Sequence, residues 1–234
     1  MAASLIVAAL VRDEAPRFWG AALHSWGTFA DEILVLDDGS TDETPRMAQD
    51  AGAIVRRRAG GAMWGQEASA RERLWSLAWN AASEGDYVFV LDADMVPARS
   101  PRILMETGAD TIFFTLYDLW APGIYREDAL WQGHLHPRAW MFRKRPIGEL
   151  RWSDRGIHTG HAPLNYPLGS LAFAPRDFSL LHYGYINSDI RREKHARYMS
   201  VAAQLSASER RHAETILDAK PALYALPFEP DLTL

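Results

Sequence analysis

The first half of the chain is built from short runs of consecutive apolar residues, at 5–10, 33–36, 53–55 and 87–91, each separated from the next by a segment of helical character. Runs of this length, without polar alternation, predict strands that are buried on both faces. The intervening segments carry apolar residues at helical spacing, as at Phe18, Ala22 and Trp26 within a helix expected over 14–26. Further helices are expected over 44–50, with Ser40 and Glu43 as a capping box, and over 67–82. Another apolar strand is expected over 111–116. Strands alternating with helices imply an α/β fold, a mostly parallel central sheet with helices on both faces. In such sheets ligands bind beyond the carboxyl ends of the strands.

Past Tyr117 the regularity fades. Trp, His, Pro and Arg become dense over 120–185, with one further strand expected over 139–142. Residues 189–218 read as two helices, the second with a capping box at Ser206 and Glu209. With 234 residues, 48% of them hydrophobic, the chain has material for one sizeable core. A single domain is therefore expected, with a ligand-binding half over 1–97, a loop-rich half over 98–186 and a helical segment over 187–234.

Composition excludes several kinds of chemistry. There is no cysteine, so disulfides, thiolate metal sites and cysteine nucleophiles are absent, and any metal must sit on oxygen or imidazole. A net charge of -5, from 25 basic and 30 acidic residues, argues against a wholesale clamp on nucleic acid. The apolar run at 5–11 is far shorter than a bilayer requires and no basic residue precedes it, so neither a signal peptide nor a transmembrane anchor is expected there.

Two strand ends carry carboxylates. The second strand finishes in Leu36-Asp37-Asp38-Gly39-Ser40-Thr41-Asp42 and the fourth in Leu91-Asp92-Ala93-Asp94. In an extended chain Asp92 and Asp94 face one side and could grip one hard cation such as Mn2+ or Mg2+, which takes oxygen ligands and completes its shell with water and phosphate. A polar strand end closed by a turn at Pro97 is the plain alternative. Carboxylates crowded on one sheet edge repel unless a cation or hydrogen-bond donor is bound there.

Together with the opening strand and its continuation Val11-Arg12-Asp13-Glu14, these motifs resemble the inverting nucleotide-sugar glycosyltransferases of family 2, which have the GT-A fold. The resemblance is specific over 4–97 and weaker to about residue 185. It implies that the backbone from Ala8 to Leu10 and the side chain of Asp38 hold the nucleotide base. It further implies that Asp92 lies near the ribose or diphosphate and that Asp94 ligates the metal. Arg71 or Arg73 would meet phosphate, since a guanidinium matches phosphate oxygens; a solvated helix face with Glu67 and Glu72 is the alternative. The family's Arg-Asn pair is missing here.

The segment Leu180-Leu181-His182-Tyr183-Gly184-Tyr185 resembles one in bacterial members, which makes His182 the candidate further ligand for the metal or diphosphate. A structural, hydrogen-bonded histidine is the alternative. Related sequences carry an acidic residue where this chain has Thr159, after His158, so the nearest candidate for the catalytic base is Asp154, with Glu127 and Asp128 as rivals. An ion pair of Asp154 with Arg151 or Arg155 is the alternative. Trp120, Trp131, Trp140, Trp152, Tyr117 and Tyr125 suit a carbohydrate acceptor, although large aromatics are first of all core residues. The basic stretch 138–155 would suit a phosphate-bearing acceptor such as a lipid carrier, or a solvated surface.

The expected function is a metal-dependent, inverting transfer of a sugar from a nucleoside diphosphate sugar, a UDP-sugar, to a hydroxyl acceptor, carbohydrate or lipid-linked. The loop 122–136 would close over the donor. The expected location is cytoplasmic, including the inner face of the membrane. The alternatives are a nucleotidyltransferase of similar fold, disfavoured because no Gly-rich loop follows the first strand, and a non-catalytic, nucleotide-binding transferase-like domain.

Overall fold

The computed structural model describes residues 3–58, 67–153 and 159–231. In chain order its elements are β1 (Leu5–Val11), α1 (Trp19–Gly27), β2 (Glu32–Asp37), α2 (Thr44–Asp50), β3 (Ile54–Arg57), α3 (Glu67–Ala81), β4 (Tyr87–Asp92) and β5 (Met95–Pro97). There follow β6 (Thr111–Phe114), β7 (Leu116–Ala121), β8 (Ile124–Arg126), β9 (Arg138–Arg143), β10 (Leu171–Phe173), β11 (Leu180–His182), α4 (Ser188–Ser200), α5 (Ala207–Glu214) and β12 (Leu223–Ala225).

The main sheet has the order β10-β6-β9-β4-β1-β2-β3. Its pairs are parallel except where β9 inserts antiparallel between β4 and β6. β1 lies inside the sheet and shows why its sequence is apolar throughout. Leu5, Val7, Ala9 and Val11 enter the core under α1, whereas Ile6, Ala8 and Leu10 enter a second core that includes Leu74, Trp75 and Ala78 of α3. Burial on both faces removes any reason for alternation. This is the expected mostly parallel α/β architecture.

Several local expectations are corrected. The apolar run 111–116 is not one strand: β6 ends at Phe114 and β7 begins at Leu116 in a different sheet. At the break, the Thr115 carbonyl accepts from Leu180 N–H and the Thr115 hydroxyl meets Ser179 Oγ at 2.6 Å. The loop-rich half also contains more order than its sequence suggests, a second sheet of order β12-β8-β7-β11-β5. Three-residue strands such as β8 and β11 are too short to show a period.

α1 begins at Trp19, not residue 14, because the N–H groups of Glu14 and Ala15 are bonded to Thr44 Oγ1. The expected Ser40–Glu43 capping box does not form. Ser40 Oγ accepts from Asp13 N–H instead, and Asp42 Oδ1 accepts from Thr44 N–H at the start of α2. The box at Ser206 and Glu209 is present at α5. Among the described residues, no helix is long and apolar enough to cross a membrane.

Candidate functional site

β11 positions the centre of the site through its register. It lies between β5, antiparallel, and β7, parallel, so His182 is opposite Met95 on one side and Asp118 on the other. Met95 follows Asp94 in sequence, and Tyr183 N–H bonds the Asp94 carbonyl at 2.8 Å. Residues 88 positions apart thereby meet: His182 Nε2 is 3.2 Å from Asp94 Oδ2, while Nδ1 is 2.6 Å from Asp118 Oδ1. A third strand end, β4, supplies Asp92.

These groups line a cavity of about 660 Å³, which is bounded by Leu10 at the end of β1, Arg71 of α3, and Lys194 and Arg197 of α4. It sits at the carboxyl ends of β1 and β4, where an open parallel sheet places its ligands.

The carboxylates do not form the expected pincer. β4 ends at Asp92, and Ala93 and Asp94 form a turn, so the two-residue alternation of a strand no longer applies. Asp92 accepts from Arg71 at 2.7 Å and lies 3.5 Å from His161 Nε2. Asp94 is taken up by His182 and by the Lys194 ammonium at 3.4 Å. Burial opposes ionisation of both, but their cationic partners outweigh it. Arg71 and His161 hold Asp92 well below the usual carboxylate range, and His182 with Lys194 does the same for Asp94. Burial and Lys194 favour the neutral His182 ring, yet Asp94 and Asp118 prevail and push it up to about 9. Glu14, also on the cavity, is raised by burial and by the charge of Asp94, against the pull of Arg17 at 2.9 Å.

Arg71 is not part of a solvated face. It is buried, with its Nε donating to Glu67 at 3.1 Å and its other arm on Asp92, whereas Arg73 is exposed. Ala8 and Asp38 are not among the residues that line the cavity; Leu10 is. Ala8 packs into the core beneath α3. The Asp38 carboxylate is buried, 3.2 Å from Arg58 Nε and 3.5 Å from Arg12. The loops that follow β1 and β2 are tied together. Asp13, at a φ of 51°, accepts from Thr41 N–H at 2.7 Å, in the left-handed region that Asp tolerates better than most residues.

Asp154 and His158 lie outside the described residues. Its rivals are engaged elsewhere: Glu127 with Tyr125 and His134, Asp128 with Arg126, and neither lines the cavity. Trp120, Trp131, Trp140, Tyr117 and Tyr125 are buried, and Trp152 is half-buried. The segment 122–136 is not a plain loop. It contains β8 and a short 3-10 helix at Gly133–Leu135, and it buries Trp131 and His134, although Leu130 to Gly133 do border the cavity.

Among the described residues no cluster of three or more His, Asp or Glu side chains is arranged to hold a metal. The donor set Asp94 Oδ2 and His182 Nε2 nevertheless fits Mn2+ or Mg2+. Adjacent ligands of an octahedral ion with bonds of about 2.1 Å stand about 3 Å apart, and Asp118 orients the ring from behind as metal-bound histidines require. Gly184 leaves room for a cation beside these two atoms. A Cβ there would come within 2.5 Å of both donor atoms and would overlap Lys194 Nζ.

Residues 6–104 match the family model described as Glycosyl transferase family 2. The matched residues run from β1 to beyond β5 and include Asp38, Arg71, Asp92 and Asp94; Asp118, His182, Gly184 and Lys194 lie outside the match. A TPR repeat-containing protein of Synechococcus elongatus is 41% identical over 88 residues, which are 36% of this chain and 19% of that protein. The solved structure of glucosyl-3-phosphoglycerate synthase from Mycobacterium tuberculosis with Mn2+, UDP and glucosyl-3-phosphoglycerate is 23% identical, with a TM-score of 0.36 over 50% of this chain and 44% of that one. The same enzyme with Mg2+ and UDP gives 23% identity and a TM-score of 0.35 over 50% and 44%. The chain thus spans less than half the length of these proteins.

Asp118, Lys194, His161 and Gly184 are site residues that sequence reasoning missed. Asp118 is the one polar residue of an otherwise apolar β7, Leu116–Ala121, which is a usable signal. Lys194 sits in a strongly charged α4 and reads as solvated.

Proposed function

We propose that this chain is a metal-dependent glycosyltransferase that moves a sugar from a nucleoside diphosphate sugar, a UDP-sugar, to a hydroxyl acceptor with inversion at the anomeric carbon. The observation that carries the reading is the convergence of Asp94, His182 and the bare face of Gly184 on one point of a cavity at the ends of β4 and β1. Of these three, Asp94 lies within the residues that match the family 2 model.

Mn2+ or Mg2+ held by Asp94 and His182 would neutralise the charge that gathers on a departing diphosphate. The chain's own groups do the rest. Asp118 keeps Nε2 of His182 turned toward Asp94. Arg71 keeps Asp92 ionised at the cavity wall, in the place assigned to the ribose or diphosphate. Asp38, with the backbone at Ala8 and Leu10, is assigned to the base by the resemblance, and of these three Leu10 borders the cavity. Asp154 is assigned to take the acceptor proton as the hydroxyl attacks, a role for a carboxylate within hydrogen-bond reach.

The test is UDP release from a panel of UDP-sugars with added acceptor hydroxyls, followed with and without Mn2+. Release by the unaltered chain should require the metal, and Asp94→Asn should lower it about 100-fold or more. The anomeric proton of the product, read by NMR, tests inversion. Binding of UDP without release under any acceptor would identify a nucleotide-binding module instead, and equal release without metal would refute the metal-dependent reading.

A further inference from the structure

The point on which Asp94 and His182 converge is not open space in this form of the molecule. The ammonium of Lys194 lies 3.0 Å from His182 Nε2 and 3.4 Å from Asp94 Oδ2, the two atoms assigned to the metal. It is held there from another side by the face of Tyr185, 4.3 Å from the ring centroid. Gly184 borders the same place and makes room for the ammonium, since a Cβ on it would strike all three groups at once. Four residues from two separate stretches of chain, Asp94 and 182–185, therefore define one cation-sized position, and a side-chain cation from a third stretch fills it.

We propose that Lys194 is an internal counter-ion that a divalent metal must displace, so that ammonium and metal occupy one place in turn. This inference rests on the reading of Asp94 and His182 as the ligands. Two cations cannot share one carboxylate oxygen and one imidazole nitrogen at such distances without strong repulsion. Asp94, however, also faces the like charge of Asp92, which a neighbouring ammonium offsets. Lys194 answers both requirements. It offsets the charge of Asp94 when no metal is bound, and its flexible four-carbon stem lets the ammonium leave when one arrives. α4 lines the cavity through Arg197 and Tyr198, so the displaced group moves into the cavity and not into the core. The cost of displacing it raises the metal concentration at which the site loads, as any competing state lowers apparent affinity.

The test is Mn2+ binding, without nucleotide, to the full chain and to Lys194→Met and Asp94→Asn, with free Mn2+ read by electron paramagnetic resonance. Lys194→Met should bind at least about tenfold more tightly than the unaltered chain, since removal of a competing cation removes its penalty. Equal or weaker binding by Lys194→Met, with binding by the unaltered chain that Asp94→Asn abolishes, would overturn the exchange and leave the metal site standing. Absence of binding in both the unaltered chain and Lys194→Met would overturn the metal site as well.

A second measurement needs no substitution and so does not depend on whether Lys194→Met folds. The chain has lysine only at Lys144, Lys194 and Lys220, so pulsed acetylation followed by mass spectrometry reports Lys194 against two internal references. Saturating Mn2+ should accelerate acetylation of Lys194 relative to Lys220. An unchanged or slower rate would contradict displacement.

Discussion

Nδ1 of His182 stands 2.6 Å from Oδ1 of Asp118, on neighbouring strands held in register by β11 and β7. The pair spends one ring nitrogen on a half-buried carboxylate and turns the other toward Asp94. Asp118→Ala should therefore weaken Mn2+ binding by about 10- to 100-fold, as removal of such supporting carboxylates does elsewhere. Titration calorimetry checks this, with circular dichroism to confirm the fold. Unchanged affinity would mean that Asp118 does not orient the ligand.

Gly184 is the residue whose hydrogen leaves the cation position open. Gly184→Ala should abolish the rise in Tm that Mn2+ produces, because a ligand that no longer binds no longer stabilises. Gly108→Ala serves as the control. That glycine has a φ of +65° with open space around it, so the change costs about 1 kcal/mol of backbone strain and should leave the Mn2+ effect intact.

Arg71 is buried between Asp92 and Glu67. Arg71→Met leaves the Asp92 carboxylate without its main partner. Because Asp92 is 30% exposed, water replaces part of the loss, and the expected destabilisation is about 1–3 kcal/mol, less than for a fully enclosed pair. Asp92→Asn added to Arg71→Met should recover part of it, a coupling that a double-mutant cycle in urea would measure. Strict additivity would show that the pair contributes nothing.

Asp42 supplies a pH-dependent term away from the cavity. Burial acts to raise its carboxyl, but hydrogen bonds from Thr44 and Ala15 outweigh it, and the group lies below its ordinary 3.8. A depressed folded-state value means that the unfolded chain binds more protons in the acid range, so this stability is present above 3.8 and is lost as pH falls through the folded value. The stability difference between the unaltered chain and Asp42→Asn should be about 1 kcal/mol at pH 7 and should shrink as pH falls below 4. A difference that does not vary with pH would contradict it.

The parts of the fold that were legible in the sequence are those whose local pattern and tertiary environment agree. β1, β2 and β4 are apolar because each is covered on both faces, and α3 is visible because Ala70, Leu74 and Ala78 recur at helical spacing. The break at Thr115 was not legible, since the apolar run continues across it and its hydrogen-bond partners, Ser179 and Leu180, are remote in sequence. The missing box at Ser40 has a similar cause: Asp13 claims the hydroxyl from a different loop.

The site divides along the same line. Asp92, Asp94 and His182 could be picked out from their strand ends and neighbours. Their partners could not, because Asp118 reaches His182 through strand register and Lys194 reaches Asp94 across 100 residues. Expecting a two-carboxylate pincer failed for a local reason, the turn at Ala93 and Asp94 that ends the strand two residues too early for alternation.

The most direct measurement is calorimetry of UDP binding, with and without Mn2+, to the unaltered chain and to Asp94→Asn. UDP should bind the unaltered chain more tightly with Mn2+ than without it, and Asp94→Asn should lose that gain while keeping its fold. Equal enhancement by Mn2+ in both proteins would contradict a metal site at Asp94 and, with it, the reading of this cavity as a sugar-nucleotide site.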